Sequence, residues 1–356
     1  MTTLINRIKH LILKLYNYRN FKNRKRYPEI TNIFDYNEIV KSRPDQDRAI
    51  KYSNAYYGYN YILKKYSKYA KTINTAMEHA PGLDIDHGEY DIEESPALIV
   101  NATQRKDYLR NRIEKPIWAI GPSIYYAEQI LSDFDISVIK DALGKTLLIY
   151  PLHDIEDFHY KQDADKFISY VKKIKELYGY NTILVSMYFV DIERGRHLAF
   201  FKEGWTIVTA GRRENYDFNN IMKTIIKVAD HAIFQAYASA IGYCIYLNVP
   251  VTIYHQPFLF VERDVEGEQT DTGIKSKTMQ LFEDVFGDYS DEISKEQYDF
   301  CRYWYGYDNI KTPYELNLLF DYISKIDCKL SKEELIKIAS QKKYKQVKEM
   351  ILEGIE

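Results

Sequence analysis

The chain has 356 residues, with 46% hydrophobic and 28% charged side chains and a formal net charge of −2. Because a single hydrophobic core rarely grows to this size, we expect two domains. The three cysteines have no short spacing, which argues against a disulfide framework or a zinc site and indicates a reducing, cytoplasmic compartment. No apolar run approaches the roughly 20 residues that span a bilayer, and no signal peptide is visible.

The first 28 residues form a basic segment with eight Lys or Arg side chains and no acid, which leaves 41 basic residues against 51 acids elsewhere. Its apolar residues recur at helical spacing: Leu4, Ile5, Ile8, Leu11, Ile12 and Leu15. A basic amphipathic helix predicts peripheral attachment to an anionic membrane surface, here the inner membrane face. A helix packed on the domain, with a solvated basic face, explains the pattern equally well. The acidic remainder argues against nucleic acid as a partner.

Two consecutive series of strands and helices follow. In the first series, apolar runs predict strands over residues 71–77, 97–101 and 116–120. Helices are predicted over residues 45–69 and 103–112, and Thr103 is the expected N-cap of the second helix. A polar helical segment over residues 132–144 is expected to join this series to the next.

The second series begins at Lys145. Apolar, β-branched runs predict strands over residues 145–150, 181–189, 205–210, 232–234 and 249–254. Helices are predicted between them, over residues 163–178, 191–203, 218–229 and 238–247. Strands that alternate with helices over short connections indicate a parallel sheet with helices on its faces.

The last part of the chain is predicted to be helical. Capping boxes begin at Ser294, Thr312 and Ser331, where a side-chain oxygen can bond the first turn of a helix. The predicted helices cover residues 295–305, 313–325 and 332–353.

The expected fold class is therefore α/β, with two Rossmann-like domains facing a cleft and helical N-terminal and C-terminal extensions. Residues 1–44 are the basic helix and a linker, and residues 45–140 are the first domain. The second domain covers residues 141–270 and is expected to bind a nucleotide. A helical tail over residues 271–356 is expected to pack on the sheet domains.

Several polar residues follow predicted strands, where parallel sheets bind their ligands. Arg212 and Arg213 come after the strand over 205–210, and guanidinium groups fit phosphate oxygens. Ser239 lies at a helix start, where free backbone N–H groups favour an anion, and Gly242 permits a close approach of a ligand or strand. The alternatives are a solvated basic turn for the arginines and a simple N-cap for Ser239.

Two further groups could take part in catalysis. Glu78 and His79 follow the first strand, where either could act as a general base on a hydroxyl, although a surface turn pair explains them as well. His153 follows the strand over 145–150 and could stabilise a phosphate leaving group. A metal site of His153, Asp157 and His159 is disfavoured because their spacing matches no tight site.

Other motifs are weak or missing. The Asp84-Ile-Asp86 segment resembles a metal-holding Asp-x-Asp motif, but it lies in a Pro- and Gly-containing loop and chance explains it. The Gly-rich dinucleotide fingerprint, the P-loop motif and the Gly-x-Ser-x-Gly nucleophile motif do not occur in the sequence. We therefore expect no bound metal and no standard NAD site.

Four stretches resemble the GT-B-type glycosyltransferases of bacterial capsule, O-antigen and lipooligosaccharide biosynthesis. They are Glu78-His-Ala80, Ala119-Ile-Gly-Pro-Ser-Ile-Tyr-Tyr-Ala127, Leu147-Leu-Ile-Tyr-Pro-Leu-His-Asp154 and the segment from Ile225 to Val251. The likeness covers about residues 70–255. Ala80 stands where the family usually has Gly, and Ala238-Ser-Ala-Ile241 replaces a common Asn-x-x-Gly-Thr turn, which leaves the donor open.

The resemblance implies transfer of a sugar from a nucleotide-sugar co-substrate, without a bound cofactor, to a cell-surface polysaccharide or lipid-linked glycan acceptor. It implies that Glu78 or His79 is the base and that His153 and Ser239 contact the donor phosphate. Gly121 and Tyr125 would lie at the acceptor side of the cleft. A nucleotide-sugar epimerase, or a non-catalytic sugar-binding protein of the same fold, is the alternative.

Overall fold

The structure is a computed structural model that describes residues 32–44, 53–78, 95–154, 158–161, 164–254, 259–262, 269–271 and 277–356. Four predicted features lie outside these residues: the basic helix over 1–28, His79, the Asp84-Ile-Asp86 motif and Asp157. Within the described ranges, no helix has the length and apolar character needed to cross a membrane.

The first α/β unit contains a parallel three-stranded sheet. Its strands are β1 (Ala76–Met77), β2 (Leu98–Val100) and β3 (Ile117–Ala119), in the order β1-β2-β3. The helices of this part are α1 (Tyr36–Ile39), α2 (Tyr59–Ser67), α3 (Thr103–Arg110), α4 (Ser123–Tyr126) and α5 (Asp133–Leu143). Helix α5 is the predicted joining segment, and Ser132 and Asp135 form a capping box at its start.

Two predictions for this unit are wrong in detail. The strand predicted over residues 71–77 is only two residues long, because side chains replace the backbone ladder: Ser95 Oγ accepts the Ala76 N–H at 2.8 Å, and Thr75 Oγ1 donates to the Ala97 carbonyl at 2.7 Å. Thr103 is not an N-cap but the first residue of α3. Its N–H donates to Asn309 Oδ1 at 3.0 Å, so a distant tail residue satisfies this helix start.

The second unit contains a parallel five-stranded sheet. Its strands are β4 (Thr146–Tyr150), β6 (Thr182–Ser186), β7 (Thr206–Val208), β8 (His231–Phe234) and β9 (Val251–Ile253), in the order β7-β6-β4-β8-β9. Its helices are α6 (Ala164–Tyr178), α7 (Phe189–Glu193), α8 (His197–Phe201), α9 (Phe218–Lys227) and α10 (Ser239–Tyr246). The two parallel sheets with intervening helices confirm the predicted α/β class with two Rossmann-like units.

An antiparallel sheet was not predicted. It joins β5 (Phe158–Lys161), β10 (Leu259–Glu262) and β11 (Gln269–Asp271) in the order β11-β10-β5. The pairing of β5 with β10 links segments about one hundred residues apart, as in Val261 opposite His159. Such pairing depends on the tertiary fold and leaves little local pattern in a four-residue strand.

The predicted helix over residues 191–203 is two short helices. The break is at Gly195, whose φ of +75° lies in the left-handed region that favours glycine. The preceding strand ends at Ser186 rather than 189, because Phe189 already begins α7.

The tail helices are α11 (Lys277–Phe286), α12 (Lys295–Tyr305), α13 (Pro313–Ile323), α14 (Lys332–Ala339) and α15 (Lys348–Ile355). All three predicted capping boxes are present. The helix predicted over 332–353 is interrupted after α14, because the buried Tyr344 donates to Asp321 Oδ2 at 2.6 Å from a 3-10 turn.

The helical tail and the two α/β units pack into a shared core. Trp118 of β3 donates to the Ile351 carbonyl of α15 at 3.2 Å, while Ser123 Oγ and Tyr243 OH lie 2.9 Å apart between α4 and α10. Lys223 of α9 donates to the Ala127 carbonyl at 2.7 Å. The first unit therefore contacts both the second unit and the tail.

A buried histidine at the start of β8 makes the stability of the fold depend on pH. His231 Nε2 lies 2.9 Å from Thr252 Oγ1, and the ring stacks on Tyr289 with centroids 4.5 Å apart. Burial lowers the pKa of His231 to about 4, from 6.5. The neutral ring therefore stabilises the fold fully above pH 6.5, and this contribution falls as the pH drops from 6.5 towards 4.

We expect the free energy of unfolding to fall by about 2 kcal/mol between pH 7 and pH 5 through this one residue. Urea denaturation at both pH values measures the loss. The His231→Phe variant keeps a ring against Tyr289 but cannot titrate, so its loss between the two pH values should be smaller by that amount. An unchanged pH slope in the variant would contradict the assignment.

Candidate functional site

The strand order of the second sheet defines a binding crevice. Numbered along the unit, β4, β6, β7, β8 and β9 are strands one to five, so the spatial order is 3-2-1-4-5. The chain leaves in opposite directions from β4 and β8, which makes the gap between them a topological switch point. In open parallel sheets, ligands bind beyond the carboxyl ends of the strands at such a point.

The loops after β4 and β8 are tied together by Gln235. This buried residue donates its N–H to the Tyr150 carbonyl at 3.0 Å, and its Oε1 accepts the Leu152 N–H at 3.0 Å. Beneath the loops, the rings of Tyr150 and Phe234 stack with centroids 4.3 Å apart. The floor of the crevice is thereby fixed by hydrogen bonds and ring packing.

His153 and Ser239 lie on the two sides of the switch point. His153 is exposed after β4, with Nδ1 3.0 Å from the Asp154 carbonyl and the ring 5.1 Å from that of Tyr188. Ser239 is half-buried at the start of α10, where Ala238 is the N-cap. The N-cap alternative for Ser239 is therefore wrong, and the two predicted donor residues lie in the segments that follow β4 and β8.

A second polar cluster lies beside His153 and was not predicted as a site. Asp154 is 2% exposed, and its Oδ2 accepts from Arg194 Nη1 at 2.8 Å, while its Oδ1 pairs with Arg196 Nη1. Asp191, 1% exposed, accepts the Asp154 N–H at 3.2 Å and lies 3.3 Å from Arg196 Nη1. Burial raises the pKa of the Asp191 carboxyl. The Arg194-Gly-Arg196 segment lies between α7 and α8, inside the helix predicted over residues 191–203, so no strand-end signal marks it.

Arg212 and Arg213 follow the outermost strand on one side of this sheet, as predicted from the sequence. They follow β7, which is separated from β4 by β6. Arg212 pairs with Glu193 and its guanidinium lies 4.3 Å from the centroid of the Phe189 ring. Arg213 Nε lies 3.3 Å from Glu214 Oε1. Both arginines thus contact carboxylates of their own surroundings, and their phosphate-binding role stays a prediction.

Gly242 of α10 packs against the tail. A Cβ at this position would overlap the buried ring of Tyr305 in α12, and the Gly242 carbonyl accepts from Tyr307 OH at 2.6 Å. The close approach predicted at this glycine is therefore to an aromatic side chain of the tail.

Glu78 lies at the carboxyl end of β1, as predicted. Its Oε1 accepts from Arg105 Nε at 2.7 Å, and the exposed fractions of the two side chains are 0% and 6%. Burial raises the pKa of Tyr237, in the β8–α10 loop, and the charge of Glu78 acts in the same direction. Glu78 of the first unit therefore lies near Tyr237 of the second unit.

Gly121 and Tyr125 lie where the first unit meets its neighbours. Gly121 has φ +83°, and a Cβ there would lie 2.8 Å from Ile310 Cγ1 of the tail. The Tyr125 ring packs edge-on against Tyr66 and Tyr246, with centroids 5.8 and 6.0 Å away. Gly121 thus contacts the tail, and Tyr125 contacts a ring of each unit.

The described residues offer no cluster of three or more His, Cys, Asp or Glu side chains that could hold a metal ion. Two of the three residues in the disfavoured metal site are described by the structure: His159 lies in β5, and His153 lies beside the crevice.

No protein-family model and no curated protein matches the chain. Among solved structures it is similar to the S. aureus MnaA-UDP co-structure, with a TM-score of 0.33 and 11% identity over 65% of this chain and 59% of that chain. It is also similar to UDP-GlcNAc 2-epimerase from Neisseria meningitidis bound to UDP-GlcNAc, with a TM-score of 0.33 and 12% identity over 65% and 61% of the two chains.

A third similar structure is Arabidopsis thaliana UGT89C1, with a TM-score of 0.32 and 11% identity over 74% of this chain and 59% of that chain. The chain thus spans about three fifths of the length of these proteins. TM-scores of this size do not define a common fold, so the fold assignment rests on the strand order of the chain itself.

Proposed function

We propose that the chain is a glycosyltransferase that takes a sugar from a nucleotide-sugar donor. The observation that carries the proposal is the position of His153 and Ser239 at the carboxyl ends of β4 and β8, on either side of a 3-2-1-4-5 switch point. A helix start and an imidazole on one crevice are suited to a phosphate-bearing ligand. The sequence resemblance to GT-B-type glycosyltransferases supports the same ligand class.

The acceptor in this proposal is a cell-surface polysaccharide or lipid-linked glycan, brought to the cleft beside the first sheet. His79 is the proposed general base. Glu78, which the sequence offers for the same role, is instead buried in an ion pair with Arg105. The basic segment over residues 1–28 would hold the enzyme on the anionic inner membrane face, where lipid-linked acceptors lie.

The burial of Glu78 also favours a second candidate. A carboxylate enclosed in an ion pair is not presented to an acceptor hydroxyl. A nucleotide-sugar epimerase, or a non-catalytic sugar-binding protein, needs no acceptor and is compatible with the same crevice.

The test is a thermal-shift screen of the full chain against CMP, UDP, GDP and ADP, followed by titration calorimetry. We expect one nucleoside phosphate to raise the melting temperature without Mg²⁺, because a ligand of the folded state stabilises it by mass action. Ser239→Ala and His153→Ala should each weaken its affinity about tenfold, since each removes one polar contact to phosphate. Ser331→Ala, which removes a capping box of the tail, is the control and should leave the affinity unchanged.

If no nucleotide binds at millimolar concentration, the proposal is wrong. The matching nucleotide-sugar then separates the candidates by NMR. Release of the nucleotide with formation of a new glycoside identifies a transferase, whereas conversion to a stereoisomer without acceptor identifies an epimerase. Deleting residues 1–28 should abolish sedimentation with anionic vesicles and leave nucleotide binding intact.

A further inference from the structure

The turn between α7 and α8 directs two arginines onto one buried carboxylate. Each Asp154 oxygen takes one guanidinium, Oδ2 from Arg194 and Oδ1 from Arg196. The left-handed Gly195 between them lets the chain fold back, and the Arg196 N–H donates to the Asp191 carbonyl at 2.9 Å. The structure thereby sets two like charges side by side on a rigid turn.

The two arginines face two buried carboxylates and stay partly exposed to solvent. Arg196 Nη1 also lies 3.3 Å from Asp191 Oδ1, and Asp154 and Asp191 are 2% and 1% exposed. The arginine side chains themselves keep exposed fractions of 23% and 31%, so an anion from solution can reach them.

The pair also lies at the correct edge of the sheet. Asp154 directly follows His153 after β4, the strand next to the switch point, and the arginines follow β6, its neighbour. A ligand in the crevice would therefore carry its phosphates past this turn. Guanidinium forks match phosphate oxygens better than any other side chain.

We infer that Arg194 and Arg196 form the diphosphate-binding pair of this site, held in place by the Asp154 carboxylate. The inference rests on the proposed function and names the residues that recognise the charged part of its donor. It moves that role from Arg212 and Arg213, which follow β7, two strands away from β4.

The test measures binding of inorganic pyrophosphate and of UDP, CMP, GDP and ADP to the full chain by titration calorimetry. Arg194→Gln and Arg196→Gln should each weaken pyrophosphate affinity about tenfold to a hundredfold, as expected for the loss of a charge-assisted hydrogen bond. Arg302→Gln is the control, an exposed tail arginine in an ion pair with Asp308, and should change the affinity less than twofold.

A purely structural role predicts a different pattern. In that case the glutamine variants have lower melting temperatures, but those that remain folded by circular dichroism bind pyrophosphate as the wild type does, and this overturns the inference. Should the glutamine variants not fold, Arg194→Lys and Arg196→Lys keep the charge opposite Asp154. They should still lose affinity about threefold to tenfold, because a lysine lacks the planar fork.

The same experiment separates the inference from the proposed function. A wild-type chain that binds a nucleotide without dependence on the arginines supports the function and overturns the inference. Arginine-dependent binding of pyrophosphate without binding of any nucleotide supports the inferred phosphate pair and overturns the nucleotide-sugar function. A wild-type chain that binds neither probe overturns both.

Discussion

Replacing Arg105 by Met should lower the free energy of unfolding by about 3–5 kcal/mol. The guanidinium lies 2.7 Å from the Glu78 carboxylate, and both side chains are almost completely removed from water. Removing the cation leaves a carboxylate buried without the charge that balances it, which is among the most destabilising single changes in proteins. Urea denaturation at pH 7 measures the loss.

A double-mutant cycle completes this test. The Glu78→Leu/Arg105→Met variant removes both charges and should recover most of the lost stability, since apolar pairs of similar volume often replace buried ion pairs at little cost. Lys295→Met breaks an exposed helix pair with Asp299 and is the control, with an expected loss below about 1 kcal/mol. If Arg105→Met lowers the free energy of unfolding no more than this control does, the ion pair does not hold Glu78 in place.

The second large effect is expected at Gly242. A methyl group at this position would overlap the ring of Tyr305, which is fully buried and donates to the Ala238 carbonyl at 3.1 Å. Gly242→Ala should therefore lower the free energy of unfolding by about 2–3 kcal/mol through overpacking, although alanine is intrinsically the better helix former by about 1 kcal/mol.

A change at Tyr305 should reverse the sign of this effect. In a Tyr305→Leu background the ring is gone, so Gly242→Ala should become neutral or stabilising by up to about 1 kcal/mol, as helix propensity alone predicts. Urea denaturation of the wild type, the two single variants and the double variant gives the coupling energy between positions 242 and 305. If Gly242→Ala lost nucleotide binding without losing stability, the result would contradict the packing role and indicate that Gly242 contacts the ligand.

The result at Arg105 would also define what the first sheet contributes. Glu78 stands at a strand end, where a general base is expected, yet its charge is committed to Arg105. A catalytic base must reach the proton it removes. A stability loss of the expected size would assign Glu78 to the framework of the cleft and leave His79 as the base of the proposed reaction.

Features set by local physics could be predicted from the sequence by itself. The alternation of apolar strands and amphipathic helices identified the α/β class, because periodicity depends on neighbouring residues alone. The capping boxes at Ser294, Thr312 and Ser331 appear as expected, since each bond spans three residues. The strand-end rule also placed His153 and Ser239 at the edge of the sheet where the switch point lies.

Features made by distant contacts depended on the tertiary structure. Arg194 and Arg196 meet Asp154 across forty residues or more, and Gly242 meets Tyr305 across more than sixty. Asn309 satisfies the helix start at Thr103 from the far end of the chain. No local pattern encodes such pairs, because they form only when strand order and helix packing bring the segments together. The sequence determined which elements form, and the fold decided which charges and rings they bring into contact.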